Sequence, residues 1–301
     1  MREREARVNE LNFHWLELFR EVARAGGVSA AAARLAISQP SVSAQVRAFE
    51  RSLGLPLLER RGRGVRLTDQ GRRVLAYADR IFTLAEDLQR EAADLRAGTA
   101  GRLVVGASTT VGEYVLPAVL GQFHQEWPAV EILAQVANSA TVEARLLAGE
   151  WDLGLVGEPL EHPHLVATRF ATDSIVLLAA PEHRLAGRRI EPRDLRGEAF
   201  VSREPGSATR KAAERALEAA GVAPRVVMEL GSNDAVKRAV AAGLGLAALS
   251  SRAVVPEVQA GWLVLLDAPW FRCARPLVLL RHRDRLLSRV EQAFIALLGR
   301  V

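Results

Sequence analysis

The sequence predicts an α/β protein in three consecutive parts: a small helical domain, one long helix, and a larger domain of alternating strands and helices. Three observations lead to this prediction. The length of 301 residues suits two or three domains of about 100 residues each rather than one core. Residues 69–98 carry an apolar stripe at helical spacing without a break. From residue 102 onward, short apolar runs alternate with amphipathic helical segments, which is typical of α/β architecture.

The composition and charge distribution narrow the class of protein. Hydrophobic residues make up 49% of the chain and charged residues 25%, as in ordinary globular proteins. The first ten residues are mostly charged or polar, and no apolar run approaches about 20 residues, so we expect neither a signal peptide nor a membrane span. Cys273 is the single cysteine, which excludes an internal disulfide and fits a cytoplasmic location. Residues 1–97 hold 17 arginines against 13 acidic residues. This excess of positive charge either indicates a surface that binds phosphate or belongs to an ordinary solvated surface.

Three short helices are predicted at the N-terminus. Residues 12–25 carry an apolar stripe that ends at two glycines. Ser29 is expected to cap a second helix, SAAAARLA, whose small side chains allow another helix to pack closely. Ser38 is expected to cap a third helix, with Pro40 tolerated in its first turn.

The third helix has the features of a DNA recognition helix. Val42, Val46, Phe49 and Leu53 form one buried stripe, whereas the opposite side is small or basic. Small exposed side chains let a helix enter the major groove, where Gln39 can pair with adenine and Ala44 can touch a thymine methyl. An ordinary amphipathic surface helix would explain the buried stripe but not the small, nearly uncharged leading end.

A hairpin is predicted next, in the segment LLERRGRGVRLTD, with Arg63 at its tip between two glycines. An arginine in this position can enter a narrow minor groove, although a solvated basic turn has the same sequence pattern. Together with the helices, the hairpin predicts a winged helix-turn-helix over residues 11–68.

A long linker helix follows, capped by Thr68 and running over residues 69–98. Apolar residues alternate spacings of four and three along it, at Val74, Ala78, Ile81, Ala85, Leu88, Ala92 and Leu95. This heptad pattern predicts a dimer seam, because a helix-turn-helix usually reads one half-site and needs a partner for the other. The alternative is a helix that packs on its own domain.

The C-terminal two-thirds predict an α/β domain with mostly parallel sheets. The expected strands are 102–106, 151–157, 174–180, 244–250 and 276–281, and the expected helices are 114–126, 139–148, 207–220, 232–242 and 285–299. Hydroxyl side chains mark three strand-to-helix turns, at Ser108–Thr110, at Ser207 with Thr209, and at Ser232 beside Asn233. Exposed N–H groups at helix starts attract an anion, so these turns would form an anion-binding site if the fold brings them together. Each turn taken alone is explained by ordinary N-capping. We expect hydroxyl and backbone N–H groups to bind that anion without a full positive charge.

The run VSAAAARLAISQPSVSAQVRAFERSLGLPLLERRGRGVRLTDQG resembles the N-terminal domain of LysR-type transcriptional regulators. SQPSVS at 38–43 matches the family's recognition helix, Arg60 and Arg63 take its wing arginine positions, and Gly71 its final glycine. Leu58 stands where phenylalanine is usual. GASTTVGEYVLP, WDLGLVG, REPGSATR and GSNDAVKRAVAAGLGLAALS extend the resemblance over nearly the whole chain. It implies a DNA-binding transcriptional regulator of double-stranded promoter DNA whose contacts are Ser38, Gln39, Pro40, Ser41, Ser43, Ala44, Arg47, Arg60 and Arg63.

The resemblance also implies the domain plan. A winged helix-turn-helix and a long linker helix would precede a two-subdomain, periplasmic-binding-protein-like effector domain at 99–301. Subdomain I would comprise about 99–172 and 273–301, and subdomain II about 173–272. A small phosphorylated or carboxylated effector would lie between them, at Ser108, Thr109, Thr110, Asn138, Ser207, Thr209 and Asn233. Two chains would pair through the linker helix and two dimers would form a tetramer, with no cofactor and no membrane partner.

Two other classes of protein fit the sequence less well. An enzyme is disfavoured because the GxGxxA match at 243–248 follows a helix and enters a strand, the reverse of a dinucleotide motif. His162 and His164 show no obvious third metal ligand, and Cys273 has no neighbouring histidine or acid in the sequence. A secreted solute-binding protein is disfavoured by the charged N-terminus and the predicted DNA-binding domain.

Overall fold

A computed structural model describes residues 11–61, 64–97, 101–158 and 162–300, and the chain divides into two units, Met1–Arg90 and Glu91–Val301. The first unit begins with three helices and a hairpin. These are α1 (Phe13–Ala25), α2 (Val28–Leu35), α3 (Gln39–Leu53), β1 (Leu58–Arg61) and β2 (Gly64–Leu67). Helix α4 (Asp69–Ala97) follows the hairpin, whose strands pair antiparallel. The predicted helices, wing and linker are therefore all present.

The helix starts show which predicted caps form. The side chain of Ser38 accepts a hydrogen bond from the backbone N–H of Ser41 and caps α3 as predicted. The hydroxyl of Thr68 accepts a hydrogen bond from the N–H of Gly71 at 2.9 Å, and its own proton goes to the carbonyl of Pro56. The predicted cap at Ser29 is wrong, because α2 already begins at Val28, which packs into the core and places Ser29 inside the helix.

The core of the first unit forms between α1, α2, α3 and the start of α4. Ala31 and Ala32 are buried, so the alanine-rich helix packs closely, as its composition predicts. The structure shows why the wing motif ends in a glycine, because a Cβ at Gly71 would lie 2.0 Å from the carbonyl oxygen of Leu57. The first turn of α4 therefore approaches the chain before β1 too closely for any side chain.

The apolar stripe of α4 divides between two roles. Ala78 is buried with Phe19 and Phe49, and Val74 and Ile81 pack against the same cluster. For this half of the helix the structure shows the alternative that the sequence left open, a helix that packs on its own domain. Leu88, further along, is 69% exposed.

The second unit is α/β. Its strands are β3 (Arg102–Ser108), β4 (Glu131–Ala137), β5 (Leu153–Gly157), β6 (Leu165–Ala179), β7 (Ala199–Arg203), β8 (Arg225–Leu230), β9 (Ala247–Ser250), β10 (Val264–Leu265) and β11 (Cys273–His282). Its helices are α5 (Thr109–Tyr114), α6 (Leu116–Glu126), α7 (Ser139–Leu147), α8 (Ala208–Ala219), α9 (Asn233–Ala241), α10 (Val255–Gln259) and α11 (Arg289–Leu298). The expected helix 114–126 is interrupted near Val115, and Pro117 opens α6, where its missing N–H is tolerated.

The main sheet of the second unit has the order β10-β6-β11-β5-β3-β4, with β9 also pairing β6, and β7 and β8 form a separate two-stranded sheet. β3 pairs parallel with β4 and β5, and β7 pairs parallel with β8. The prediction of mostly parallel sheets is nevertheless wrong, because β6 pairs antiparallel with β9, β10 and β11. The chain passes along β6 and returns along β11, so these two long neighbouring strands run in opposite directions.

Separate apolar cores lie at the two ends of the long strands. Leu277 and Leu279 of β11 pack with β3, β5, α6 and α11 in one core. Ile175 and Leu177 of β6 pack with α8 in another, and β9 and α9 complete a third beside it. Since β6 and β11 contribute to cores on both sides, the second unit has two lobes, called here lobe I (β3–β5, α5–α7, α11) and lobe II (β7–β10, α8–α10). They face each other across a cleft.

Candidate functional site

Helix α3 presents its predicted DNA-reading side to solvent. Val42, Val46 and Phe49 are buried, so the helix has only one orientation in the core. The exposed residues include Ser38, Gln39, Pro40, Ala44 and Arg47, with Ser41 and Ser43 partly exposed beside them. Because small and hydroxylic groups occupy its leading end, this face has the shape that a helix needs to enter the major groove.

Glu50 lies on α3 close to the arginine-rich surface, yet its carboxylate is committed to the backbone. Oε1 accepts hydrogen bonds from the N–H groups of Leu57 at 2.7 Å and Leu58 at 3.0 Å. These bonds fasten the start of the hairpin to α3. The acidic side chain therefore positions the wing against the helix.

The predicted wing contacts fall partly outside the described residues. Arg63 at the hairpin tip is not among them, nor is the side chain of Arg60. The strands on either side of residues 62–63 pair with Arg60 opposite Val65 and Arg61 opposite Gly64. The minor-groove role of Arg63 stays a prediction.

The cleft between the lobes brings together most of the predicted effector residues. Ser108, Thr109 and Thr110 lie where β3 meets α5, and Asn138 caps α7 in the same lobe. Ser207 caps α8 in lobe II, with Thr209 in its first turn. These six residues line one small cavity together with Ser139, Arg203, Ala208 and Arg275. Asn233 lies in lobe II and reaches the cavity through a hydrogen bond with Arg203, at 2.5 Å.

Two arginines lie at this cavity that the hydroxyl pattern did not predict. Arg203 ends β7, Arg275 lies in β11, and each side chain is only 2% exposed. Arg203 Nη2 donates to Thr109 Oγ1 at 3.1 Å, and Arg275 Nη2 donates to Thr110 Oγ1 at 3.3 Å. The expectation named only hydroxyl and backbone N–H donors for this site, whereas the cavity also has two guanidinium groups. An arginine within an otherwise apolar strand such as CARPLVLL was the sequence signal that could have found Arg275.

Each buried guanidinium has a carboxylate partner. Arg275 donates through Nε and Nη2 to Asp173, whose side chain is fully buried and also accepts from the hydroxyl of Ser250 at 2.7 Å. Arg203 donates through Nε and Nη2 to the two oxygens of Glu204, at 2.8 and 3.0 Å. A Cβ at Gly157 would lie 2.9 Å from Nη1 of Arg275, so glycine is needed beside that guanidinium.

The space at the cavity suits one small polar group. Its volume is about 10 Å³, room for roughly one water molecule, and it adjoins a pocket of about 330 Å³. Ser139, Ser207 and Ala208 line both. The first turns of α7 and α8 both reach this space, and helix starts favour negative charge. Ser139 Oγ is buried and has no hydrogen-bond partner within the described part of the chain.

The features that could have indicated an enzyme have structural explanations. Gly245 of the GxGxxA match lies between α9 and β9, where a Cβ would meet the carbonyl oxygen of Ala199 at 2.4 Å. Burial raises the pKa of the Cys273 thiol, which contacts the carbonyl of Ala212. His282 stacks on His164, a neighbour that the sequence did not indicate.

The described residues show neither a membrane-spanning helix nor a metal-binding cluster. None of their helices is long and apolar enough to cross a membrane. Among the same residues, no group of three or more histidine, cysteine, aspartate or glutamate side chains is arranged to hold a metal ion.

Models of known protein families match both units of the chain. The family model for the bacterial regulatory helix-turn-helix protein, lysR family, matches residues 13–72. The model for the LysR substrate binding domain matches residues 96–301, more than half of the chain.

Similar proteins of known role agree with these matches. The chain is 34% identical to a RuBisCO operon transcriptional regulator of Acidithiobacillus ferrooxidans, over 96% of this chain and 93% of the relative. It is 33% identical to the HTH-type transcriptional activator CmpR of Synechocystis, over 94% of this chain and 93% of the relative. The structure of the Synechocystis CcmR regulatory domain in complex with 2-PG is 35% identical, covers 66% of this chain and 96% of that one, and has a TM-score of 0.62. The chain therefore belongs to the LysR family of DNA-binding transcriptional regulators.

Proposed function

We propose that the cleft between lobes I and II binds a small anionic metabolite and that its occupancy changes how the N-terminal domain acts on DNA. The observation that carries this proposal is the pair of buried guanidiniums, Arg203 and Arg275, at one cavity with the hydroxyls of Thr109 and Thr110. Guanidinium groups match phosphate and carboxylate oxygens in geometry and charge. The 2-PG bound by the similar CcmR domain, 2-phosphoglycolate, carries both kinds of group.

Further support comes from the helix starts. The N–H groups at the beginning of α7 and α8 and the unpartnered hydroxyl of Ser139 add neutral donors around the same cavity. Because the cavity itself holds about one water, we propose that one oxygen of the anionic group enters it while the rest of the ligand occupies the adjoining pocket of about 330 Å³. The cleft residues Ser108, Thr109, Thr110, Asn138, Ser207, Thr209 and Asn233 keep their proposed roles as binding or positioning groups.

The DNA-binding side of the proposal rests on α3. Ser38, Gln39, Pro40, Ser41, Ser43, Ala44 and Arg47 form its exposed leading face, and the wing carries Arg60 and Arg63. We propose that the functional division follows 11–68, 69–98 and 99–301, that the regulator works in the cytoplasm, and that it acts as a dimer joined through α4, from which a tetramer forms. Tyr77, Leu84 and Leu88, exposed apolar residues of α4, are proposed as the dimer contact in place of Val74, Ala78 and Ile81.

Calorimetric titration with 2-phosphoglycolate, beside DNA binding with and without it, tests the proposed cleft. Thr110→Val keeps the shape of a side chain that is 3% exposed and removes only its hydroxyl. Losing one hydrogen bond to a charged group costs about 1.5–3 kcal/mol, so we expect affinity to fall about ten- to a hundredfold. Thr168→Val, the same change at an exposed position on β6, serves as the matched control.

DNA binding without the anion should be the same in Thr110→Val and the parent. Equal anion affinity in the parent, Thr110→Val and Thr168→Val would move the site away from this cleft. Loss of DNA binding by Thr110→Val without the anion would show instead that the hydroxyl maintains the fold.

A further inference from the structure

The contacts of Arg203 extend across the cleft. Nη2 reaches Thr109 in lobe I, and Nη1 reaches Asn233 in lobe II at 2.5 Å. Asn233 in turn donates to Glu113 of lobe I at 3.2 Å. One buried side chain therefore joins both walls of the cleft through direct hydrogen bonds.

The remaining edge of this guanidinium is occupied by Glu204. Nε donates to one carboxylate oxygen at 2.8 Å and Nη2 to the other at 3.0 Å. This two-pronged pairing is the geometry that a carboxylate or phosphate ligand would itself adopt on an arginine. An anion that reaches Arg203 must therefore displace Glu204 or lie close to its negative charge.

The partner of Arg275 differs from Glu204 in accessibility. Asp173 is fully buried and is held by Ser250 as well as by the arginine. The side chain of Glu204 is 22% exposed and follows Arg203 directly in the chain. Asp173 is thus a fixed counter-ion, whereas Glu204 can turn toward water when another anion takes its place.

We propose that Glu204 is a built-in competitor for the anion site, which lowers the affinity of the cleft and selects doubly charged ligand groups. With the cleft empty, Glu204 prevents the buried charge of Arg203 from being left unpaired, a state that is strongly unfavourable. A monocarboxylate that replaces it exchanges one carboxylate for another and gains little. A phosphate dianion brings more charge to the same guanidinium and is preferred. This inference rests on the proposed function of the cleft.

The test is calorimetric titration of the full-length chain and of Glu204→Gln with 2-phosphoglycolate and with glycolate. Glutamine keeps the size of the side chain and one acceptor for Arg203 but removes the charge. We expect 2-phosphoglycolate to bind about tenfold more tightly to Glu204→Gln, and glycolate to gain at least as much. Glu204→Ala should shift both affinities in the same direction, which covers the case in which the glutamine variant does not fold.

Glu218→Gln is the matched control, because it removes the same charge from an exposed position on α8. An equal gain in this control would assign the effect to net charge and overturn the proposal. Unchanged or weaker binding of 2-phosphoglycolate by Glu204→Gln and Glu204→Ala would overturn it as well, while leaving the anion cleft in place. If the parent and every variant bind neither compound, the proposed function of the cleft fails together with this inference.

Discussion

The buried ion pair between Arg275 and Asp173 gives the sharpest stability prediction. Asp173 is fully buried in β6, and Arg275 reaches it from β11 with two hydrogen bonds of 2.9 and 2.8 Å. Ser250 of β9 donates to the other carboxylate oxygen. The carboxylate therefore links three strands at the place where the two lobes meet. Arg275→Met removes the cation and leaves Asp173 as a buried charge without its main partner.

The size of the effect follows from that burial. Breaking a buried pair by removing one partner costs about 3–5 kcal/mol, and Asp173 would keep only the hydroxyl of Ser250 and the more distant Arg252, whose Nε lies 3.9 Å away. For a domain of this size, each kcal/mol lowers the Tm by about 2–4 °C. We therefore expect the Tm of the second unit to fall by about 6–20 °C. The contact of Arg275 with Thr110 means that anion binding should weaken in the same variant.

Thermal and urea unfolding followed by tryptophan fluorescence measure this loss, since Trp127, Trp151, Trp262 and Trp270 all lie in the second unit. The control is Arg238→Met, which breaks an ion pair with Asp234 of similar geometry, 2.8 Å long, on the surface of α9. Its side chains are 77% and 62% exposed, and such pairs contribute about 0.3–0.5 kcal/mol.

A double variant, Arg275→Met with Asp173→Leu, separates charge from packing. Replacing both partners by apolar groups should recover most of the stability, because no unpaired charge is left buried. The reasoning is refuted if Arg275→Met destabilises the chain no more than Arg238→Met. It is also refuted if the double variant is less stable than Arg275→Met, since the loss would then come from packing rather than from the stranded carboxylate.

Two further predictions concern DNA and assembly. Gln39→Ala should lower affinity for the cognate site by about 1–3 kcal/mol in gel-shift titrations and leave random DNA nearly unaffected, because a base contact carries sequence information. Equal losses on cognate and random DNA for Gln39→Ala would rule out base reading. Arg47→Ala should weaken binding to both DNAs alike if Arg47 contacts phosphate. Changing both Leu84 and Leu88 to aspartate should give monomers in analytical ultracentrifugation, because the two residues are 41% and 69% exposed and a charge buried at a helix interface is costly. Gln89→Asp, beside them on α4, should leave the oligomer intact, and an unchanged oligomer in the leucine variant would place the interface elsewhere.

Local sequence patterns predicted the N-terminal domain closely. The helices, the hairpin and the caps at Ser38 and Thr68 depend on residues within a few positions of one another, so the sequence contains the information directly. The exception, Ser29, is also local: the packing of Val28 begins the helix one residue before the predicted cap. Most strands and helices of the second unit were located for the same reason. The sequence did not predict β4, β7, β8, the two-residue strand β10 or the short helices α5 and α10, and it predicted only the end of β6.

Tertiary structure decided which face of α4 is free and what charges line the cleft. Val74, Ala78 and Ile81 have the spacing of a dimer seam, but whether a stripe covers its own domain or a partner depends on the position of Phe19 and Phe49, which are far away in the chain. The sequence alone therefore could not exclude either role.

The residues of the cleft also show what the sequence alone could not predict. The sequence by itself determined that hydroxyl residues lie at the turns after β3 and before α8, because helix caps are local. It did not reveal that Arg203 and Arg275 meet those hydroxyls, since the partners are 94 and 165 residues apart in the chain. Their burial is tolerated only because Glu204 and Asp173 supply counter-charges, and the pairing of β6 with β11 brings Asp173 to Arg275. Contacts made by sheet pairing between distant segments are fixed by the whole fold, and no local pattern records them.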